Sequence, residues 1–282
     1  MRRYPFGKYI LDIPDDHRII DIHRENYLYD RTYGIIIEEI SNASPEGMFV
    51  DIGANIGDTA AFFASVAPNP ILCIEGNEVF LQYLRANERH LGGQVTVLEK
   101  FVRTNALANV KLGYAHGTGT GYMTVDAGRV VERERFVSIS DILSFIQERS
   151  SNIALFKTDT DGMDGYIIAD AIEAIDAPLF FECDTIAILP DVENPWPGVF
   201  RSLEEKGYGI IAFDNHGLPM LITNNAQAQI LSDLAGYIHL QRAIHPVRIH
   251  YLDIWGFPPA WRPVFERVAT ILRDDLLRPY RF

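Results

Sequence analysis

Phe49-Val50-Asp51-Ile52-Gly53-Ala54-Asn55-Ile56-Gly57-Asp58-Thr59 is an apolar run that meets an acid, turns through two glycines four residues apart and enters a helix-compatible segment. A short apolar run bounded in this way reads as a buried strand. Feeding a helix through a glycine turn makes it the opening of a strand, helix, strand unit. Gly53 and Gly57 lack the Cβ atoms that would collide where backbone and ligand approach closely. Nucleotide-type ligands bind at the carboxyl ends of such strands, where turn N–H groups face outward.

Working outward, similar apolar runs bounded by Gly, Pro, Asn and Asp occur at residues 48–52, 70–74, 95–98, 153–156 and 178–181, with two more at 209–213 and 249–255. Helix-compatible segments at 58–66, 79–91, 140–147 and 227–237 alternate with them. The alternation predicts a doubly wound α/β fold: a mostly parallel, seven-stranded, Rossmann-like sheet with helices on both faces. Residues 1–45, aromatic and of mixed polarity, read as an amino-terminal helical or irregular cap on a main domain at 46–282. Residues 104–135, rich in Gly and Thr and without a helical period, read as an irregular or hairpin insertion.

The chain has 282 residues, 48% hydrophobic and 22% charged, the balance of an ordinary globular protein. No run approaches the roughly 20 apolar residues that a membrane crossing needs. Charged residues follow Arg2 and Arg3 where a signal peptide would place its apolar core. Cys73 and Cys183 each lie inside an apolar run and read as packing thiols of a reduced, cytoplasmic protein. A formal charge of -13 opposes a phosphate backbone, so the expected partners include neither nucleic acid nor membrane.

The spacing of the glycine turn also ranks cofactors. A dinucleotide fingerprint has three glycines as G-x-G-x-x-G, whereas here Asp51 replaces the first. A carboxylate there repels a diphosphate but suits S-adenosylmethionine, which carries a sulfonium and an ammonium group and no phosphate. A second acid, Glu75, ends the next apolar run in Ile74-Glu75-Gly76-Asn77, where a carboxylate can accept both hydrogen bonds of a ribose diol. Capping of the following helix is the alternative role for Glu75. The expected cofactor set is Asp51, Gly53, Asn55, Gly57, Asp58, Glu75 and Asn77.

With these residues, and with Leu155-Phe156-Lys157-Thr158-Asp159-Thr160-Asp161-Gly162 and Phe181-Glu182-Cys183-Asp184, the chain resembles the FkbM-type methyltransferases over about residues 45–255. The resemblance implies a class I fold, S-adenosylmethionine as methyl donor, and a hydroxyl of a sugar, glycan or natural product as acceptor. Two positions depart from the family pattern. Asp161 stands where Glu is common before Gly162, and Gly76 stands where Pro is usual after Glu75.

The sheet order implied by the resemblance brings Asp51, Asp159 and Asp184 toward one cleft. Transfer to a hydroxyl needs alignment and a base, and burial among other acids raises a carboxylate's pKa toward a useful value. Asp159 is the leading base or acceptor-orienting group, with Asp161 its nearest rival. Lys157 serves as a base if its pKa is depressed, or else as the counter-charge to these acids. Glu182, Asp184, Asn215 and His216 are assigned to the acceptor, and Tyr122, Trp196 and Tyr208 are the aromatics considered for stacking on a sugar face. A divalent cation held by Asp159, Asp161, Glu182 and Asp184 is a less favoured reading than direct hydrogen bonding. Two other functions compete with methyl transfer: a nicotinamide-dependent oxidoreductase on a similar sheet, and a non-catalytic protein that binds S-adenosylmethionine.

Overall fold

The computed structural model describes residues 2–25, 29–117, 119–125, 127–149, 152–185, 189–244 and 249–274, so the last eight residues of the expected main domain lie outside the described ones. The chain opens with a hairpin, β1 (Arg2–Phe6) and β2 (Tyr9–Ile13), followed by α1 (Ile19–Glu25) and α2 (Tyr29–Ala43). Then come β3 (Met48–Ile52), α3 (Asp58–Val66), β4 (Ile71–Ile74), α4 (Glu78–Glu88), β5 (Val95–Leu98) and β6 (Phe101–Val102). The insertion holds β7 (Leu112–His116), β8 (Gly121–Val125) and β9 (Arg129–Val130), and β10 (Phe136–Val137) leads into α5 (Ile139–Gln147). The second half runs β11 (Ile153–Thr158), α6 (Asp164–Ala174), β12 (Leu179–Cys183), α7 (Trp196–Glu205), β13 (Gly209–Asp214), β14 (Pro219–Thr223), α8 (Ala228–Ile244), β15 (Leu252–Phe257) and α9 (Arg262–Leu272).

The main sheet has the order β14-β13-β15-β12-β11-β3-β4-β5. Its pairs from β12 to β5 are parallel, while β15 runs antiparallel between β12 and β13. The expected seven strands are all present. An eighth, β14, adds an antiparallel edge through a turn at residues 214–218. The cap differs from expectation in its hairpin: Leu11 and Ile13 of β2 are fully buried.

Each face of the sheet carries its own apolar layer, which is why the central strands are apolar throughout rather than alternating. One layer lies under α5, α6 and α7, and the other under α2, α3 and α9. Ala60, Ala61 and Ala64 on α3 allow close approach to the sheet, and Ile36, Ile37 and Ile40 of α2 are fully buried, so this cap helix completes the second layer. Local signals set the helix starts. Ser138 and Asp141 form a capping box on α5, and Asn77 Oδ1 accepts the Val79 N–H to cap α4. Cys73 and Cys183 are free, buried thiols whose pKa burial pushes up, as expected for packing residues. Among the described residues no helix is long and apolar enough to cross a membrane.

Candidate active site

The glycine turn after β3 and the acidic turn after β11 touch. A Cβ on Gly53, whose φ is 78°, would stand 1.9 Å from the Asp159 carbonyl oxygen, so only glycine lets the two turns meet. Gly57 serves a different purpose. Its φ of 87° turns the chain into α3, and a Cβ there would meet the Leu84 side chain at 2.9 Å, so it lets α4 pack against the turn.

The cleft at these carboxyl ends has two halves that share Gly53, Asn55, Asp159 and Asp161. The first encloses about 610 Å³ including its open mouth, within the ~300–1,000 Å³ of small-molecule sites. Its walls include Glu75, Asn77, Phe101, Tyr114 and Ile167. Glu75 Oε2 accepts the Asn55 N–H at 2.9 Å and Oε1 accepts the Asn77 N–H at 2.6 Å. These bonds aim the carboxylate into the cleft and leave lone pairs on both oxygens. Burial pushes its pKa up to about 7, although the backbone N–H groups of Asn77, Asn55 and Gly76 pull it down. Gly76 is explained here too: a Cβ would stand 2.3 Å from the Phe101 ring, which occupies the room a proline would need.

The second half lies under the cap and is lined by Phe6, His23, Tyr33, Asp58, Phe62, Lys157, Phe180 and Trp255 among others. Sheet register builds its floor. Asp51 pairs with Lys157, Lys157 with Phe180 and Phe180 with Trp255, so these four side chains form a row across four strands on one face. Lys157 Nζ donates to Asp51 Oδ1 at 2.8 Å and lies 3.4 Å from Asp159 Oδ2. Burial alone would lower its pKa, but Asp51 and Asp159 outweigh burial and hold the ammonium protonated above its ordinary range. Lys157 therefore stands as the counter-charge to Asp51 and Asp159, without the depressed pKa that a base would need. Asp51 is fully buried beneath the turn and lines neither half. Burial raises its pKa, Lys157 opposes that rise, and Lys157 is its direct partner.

The insertion and the cap meet over the junction of the two halves. Asn55 Nδ2 donates to the Gly119 carbonyl at 3.1 Å, Thr120 Oγ1 donates to Asp161 Oδ2, and a Cβ on Gly119 would approach the Arg18 nitrogen at 3.2 Å. Asp161 holds a left-handed backbone with φ 50°. Burial raises its pKa to about 7, and the neighbouring Asp159 adds to the rise. Asp164 is held by Thr158 Oγ1 at 2.8 Å and by the Thr160 N–H, so it caps the turn.

The expected acceptor residues divide. Glu182 and Asp184 stand beside the cleft but line neither half. Asn215 and His216 are not brought to it. Asp214 Oδ1 accepts the His216 N–H at 3.0 Å and Asn215 Oδ1 accepts the His250 N–H at 2.8 Å, so this turn ties β13 to the segment before β15. Trp196 stacks between Phe181 and Phe200, and Tyr208 is buried, so both are core residues, while Tyr122 stands in the wall of the first half. Sequence reading missed Phe101, Tyr33, Phe62, Phe180, Trp255 and Asp253. Phe180, Trp255 and Asp253 lie in strands that look like any core strand and are marked only by the pairing of distant strands, while Tyr33 and Phe62 come from helices whose packing over the sheet brings them in. Among the described residues, no group of three or more His, Cys, Asp or Glu side chains is arranged to hold a metal ion.

No protein-family model matches the chain, and no curated protein does. Solved structures are similar to it at low identity. The O-methyltransferase from Bacillus cereus in complex with SAH shares 11% identity over 87% of this chain and 92% of that one, with a TM-score of 0.41. The precorrin-6y C5,15-methyltransferase from Geobacter metallireducens GS-15 shares 13% over 64% and 74%, with a TM-score of 0.38. The TehB-like SAM-dependent methyltransferase from Corynebacterium glutamicum ATCC 13032 Kitasato shares 10% over 82% and 88%, with a TM-score of 0.35. The strand order, with four parallel pairs from β12 to β5 and β15 inserted antiparallel between β12 and β13, is the doubly wound, Rossmann-like arrangement expected from the sequence.

Proposed function

We propose that this chain is an S-adenosylmethionine-dependent O-methyltransferase of the FkbM type that acts on a hydroxyl of a small molecule or glycan. The observation that carries the reading is the two-part cleft joined at Gly53, Asn55, Asp159 and Asp161, with a ribose-type carboxylate in one half and acids at the junction. Glu75, with lone pairs left on both oxygens, would accept the ribose hydroxyls, and Phe101 and Ile167 would flank the adenine. S-adenosylmethionine, when bound, supplies a methyl group on a positively charged sulfur.

Asp161 takes the role of base. It lines both halves, and a pKa near 7 matches proton transfer at neutrality, where an ordinary carboxylate is too weak. The ion pair of Lys157 with Asp159 orients the acceptor oxygen, and the cap excludes water. The acids at the junction repel phosphates, which supports a small hydroxylated acceptor over nucleic acid.

The test is transfer of an isotopically labelled methyl group from S-adenosylmethionine to a library of hydroxylated natural products and glycans, followed by mass spectrometry. Asp161→Asn is expected to lower kcat about 10²–10⁴-fold while leaving affinity for S-adenosylhomocysteine within a few fold. A variant as active as wild type would remove Asp161 from the role.

A further inference from the structure

We infer that the acceptor carries a protonated amine close to the hydroxyl that is methylated, as in an amino sugar, an aminocyclitol or another amino alcohol. The inference rests on the methyltransferase reading and concerns the half of the cleft under the cap.

Three independent features of that half converge. Its walls are aromatic: Phe6 from the cap hairpin, Tyr33 from α2, Phe62 from α3, Phe180 from β12 and Trp255 from β15. Tyr33 and Phe180 meet edge to face with centroids 5.4 Å apart, and Phe180 and Trp255 do so at 4.9 Å. Such walls hold the apolar face of a ring and also attract a cation.

The charge balance is strongly negative. Asp58, Asp159 and Asp161 line the space directly. Behind them Glu182 and Asp253 are register partners, two residues beyond Phe180 and before Trp255, and therefore on the same face of the sheet. Lys157 is the ammonium in this lining, and it is already shared between Asp51 and Asp159. His23, also in the lining, packs its ring on Phe6 and Tyr4. The methyl donor brings a sulfonium, an ammonium and a carboxylate, a net of one positive charge, which leaves carboxylates in excess. Burial pushes Glu182 and Asp253 well above the carboxylate range and the charge of Asp159 adds to the rise, so a cation entering this half would favour their ionised forms.

The third feature points to a ligand oxygen. Trp255 is 1% exposed, its ring forms part of the wall, and its indole Nε1–H has no hydrogen-bond partner among the described residues. A buried donor left unpaired is costly. A small turn of the indole, whose Nε1 is closed off from the cleft as it stands, would let a hydroxyl or ether oxygen of the acceptor satisfy it while the amine lies toward the carboxylates. Neutral and acidic acceptors answer the aromatic wall but not the charge.

The test uses the full chain saturated with S-adenosylhomocysteine, so that the cofactor's own ammonium site is filled, and three matched probes: trans-2-aminocyclohexanol, its N-acetyl derivative and cyclohexane-1,2-diol. Binding is followed by ligand-observed NMR titration. The amine is expected to bind at least about tenfold more tightly than either neutral probe. Glu182→Gln should shrink that preference without changing affinity for S-adenosylhomocysteine, and Phe62→Ala should weaken all three probes. Equal binding of the three, or no binding of the amine, overturns the inference while leaving methyl transfer intact. Failure of the protein to take up S-adenosylhomocysteine overturns the methyltransferase reading itself and is seen before any probe is added.

Discussion

The two halves of the cleft are built differently. The half assigned to the cofactor is centred on two neighbouring strand-end turns, residues 52–55 and 74–77, linked by the bond from Asn55 N–H to Glu75, with Phe101, Tyr114 and Tyr122 closing its far wall. The half assigned to the acceptor draws residues from the hairpin, α1, α2, α3, β11, β12 and β15, held together by sheet register and by the bond from Tyr33 to Asp253. A local turn fixes a ligand whose shape does not vary. A site assembled from distant elements can change one wall at a time, and so is suited to setting which acceptor fits.

The largest expected effect falls beneath the second half. Lys157→Met leaves Asp51 buried without its counter-charge and should cost about 3–5 kcal/mol in urea unfolding. Adding Asp51→Asn should recover a large part. A single variant as stable as wild type would mean that the ion pair does not hold the floor of that half together. Next is Glu75→Ala, which removes a charged hydrogen-bond acceptor and should weaken S-adenosylhomocysteine binding about 10–100-fold by calorimetry. Binding in the aromatic half should not change, and a loss in both halves would erase the distinction between them.

Phe62→Ala addresses the opposite side. It should raise the acceptor KM up to about tenfold, the value of one aromatic contact, with the cofactor Kd unaltered.

The remaining effect is the pH dependence at the junction, which is spread over several acids. Burial raises Asp161 and Glu75 to about 7 and Asp164 to about 6, so the folded protein keeps protons that the unfolded chain releases. Their contribution to stability is therefore present below about pH 4 and is lost as pH rises to about 7. Activity should move the other way, growing as Asp161 ionises. Asp161→Asn should flatten part of the stability decline between pH 4.5 and 7.5 in urea midpoints (an interval of about three units spanning the shifted values), and an unchanged slope would assign the decline to the other acids.

The same contrast explains what could be read without coordinates. The alternation of apolar runs with helix-compatible segments specified the sheet because both of its faces are covered, and the turns at Asp51 and Glu75 were visible because glycines and acids interrupt apolar runs. The cap hairpin was missed because Arg2–Phe6 alternates poorly and pairs only with Tyr9–Ile13. The aromatic wall was missed because Phe180 and Trp255 sit 75 positions apart in strands that look like any core strand. Asn215 and His216 looked functional because polar residues at a strand end resemble a site, but here they close a turn through Asp214 and His250.

The most direct measurement is calorimetric titration of wild-type protein with S-adenosylmethionine, S-adenosylhomocysteine and NAD. Saturable binding of the two sulfur ligands, with NAD binding weaker by at least about a hundredfold, is the expected result for a cleft whose junction carries Asp159 and Asp161, which oppose a diphosphate. Clear NAD binding without S-adenosylmethionine binding would contradict the account from the glycine turn onward.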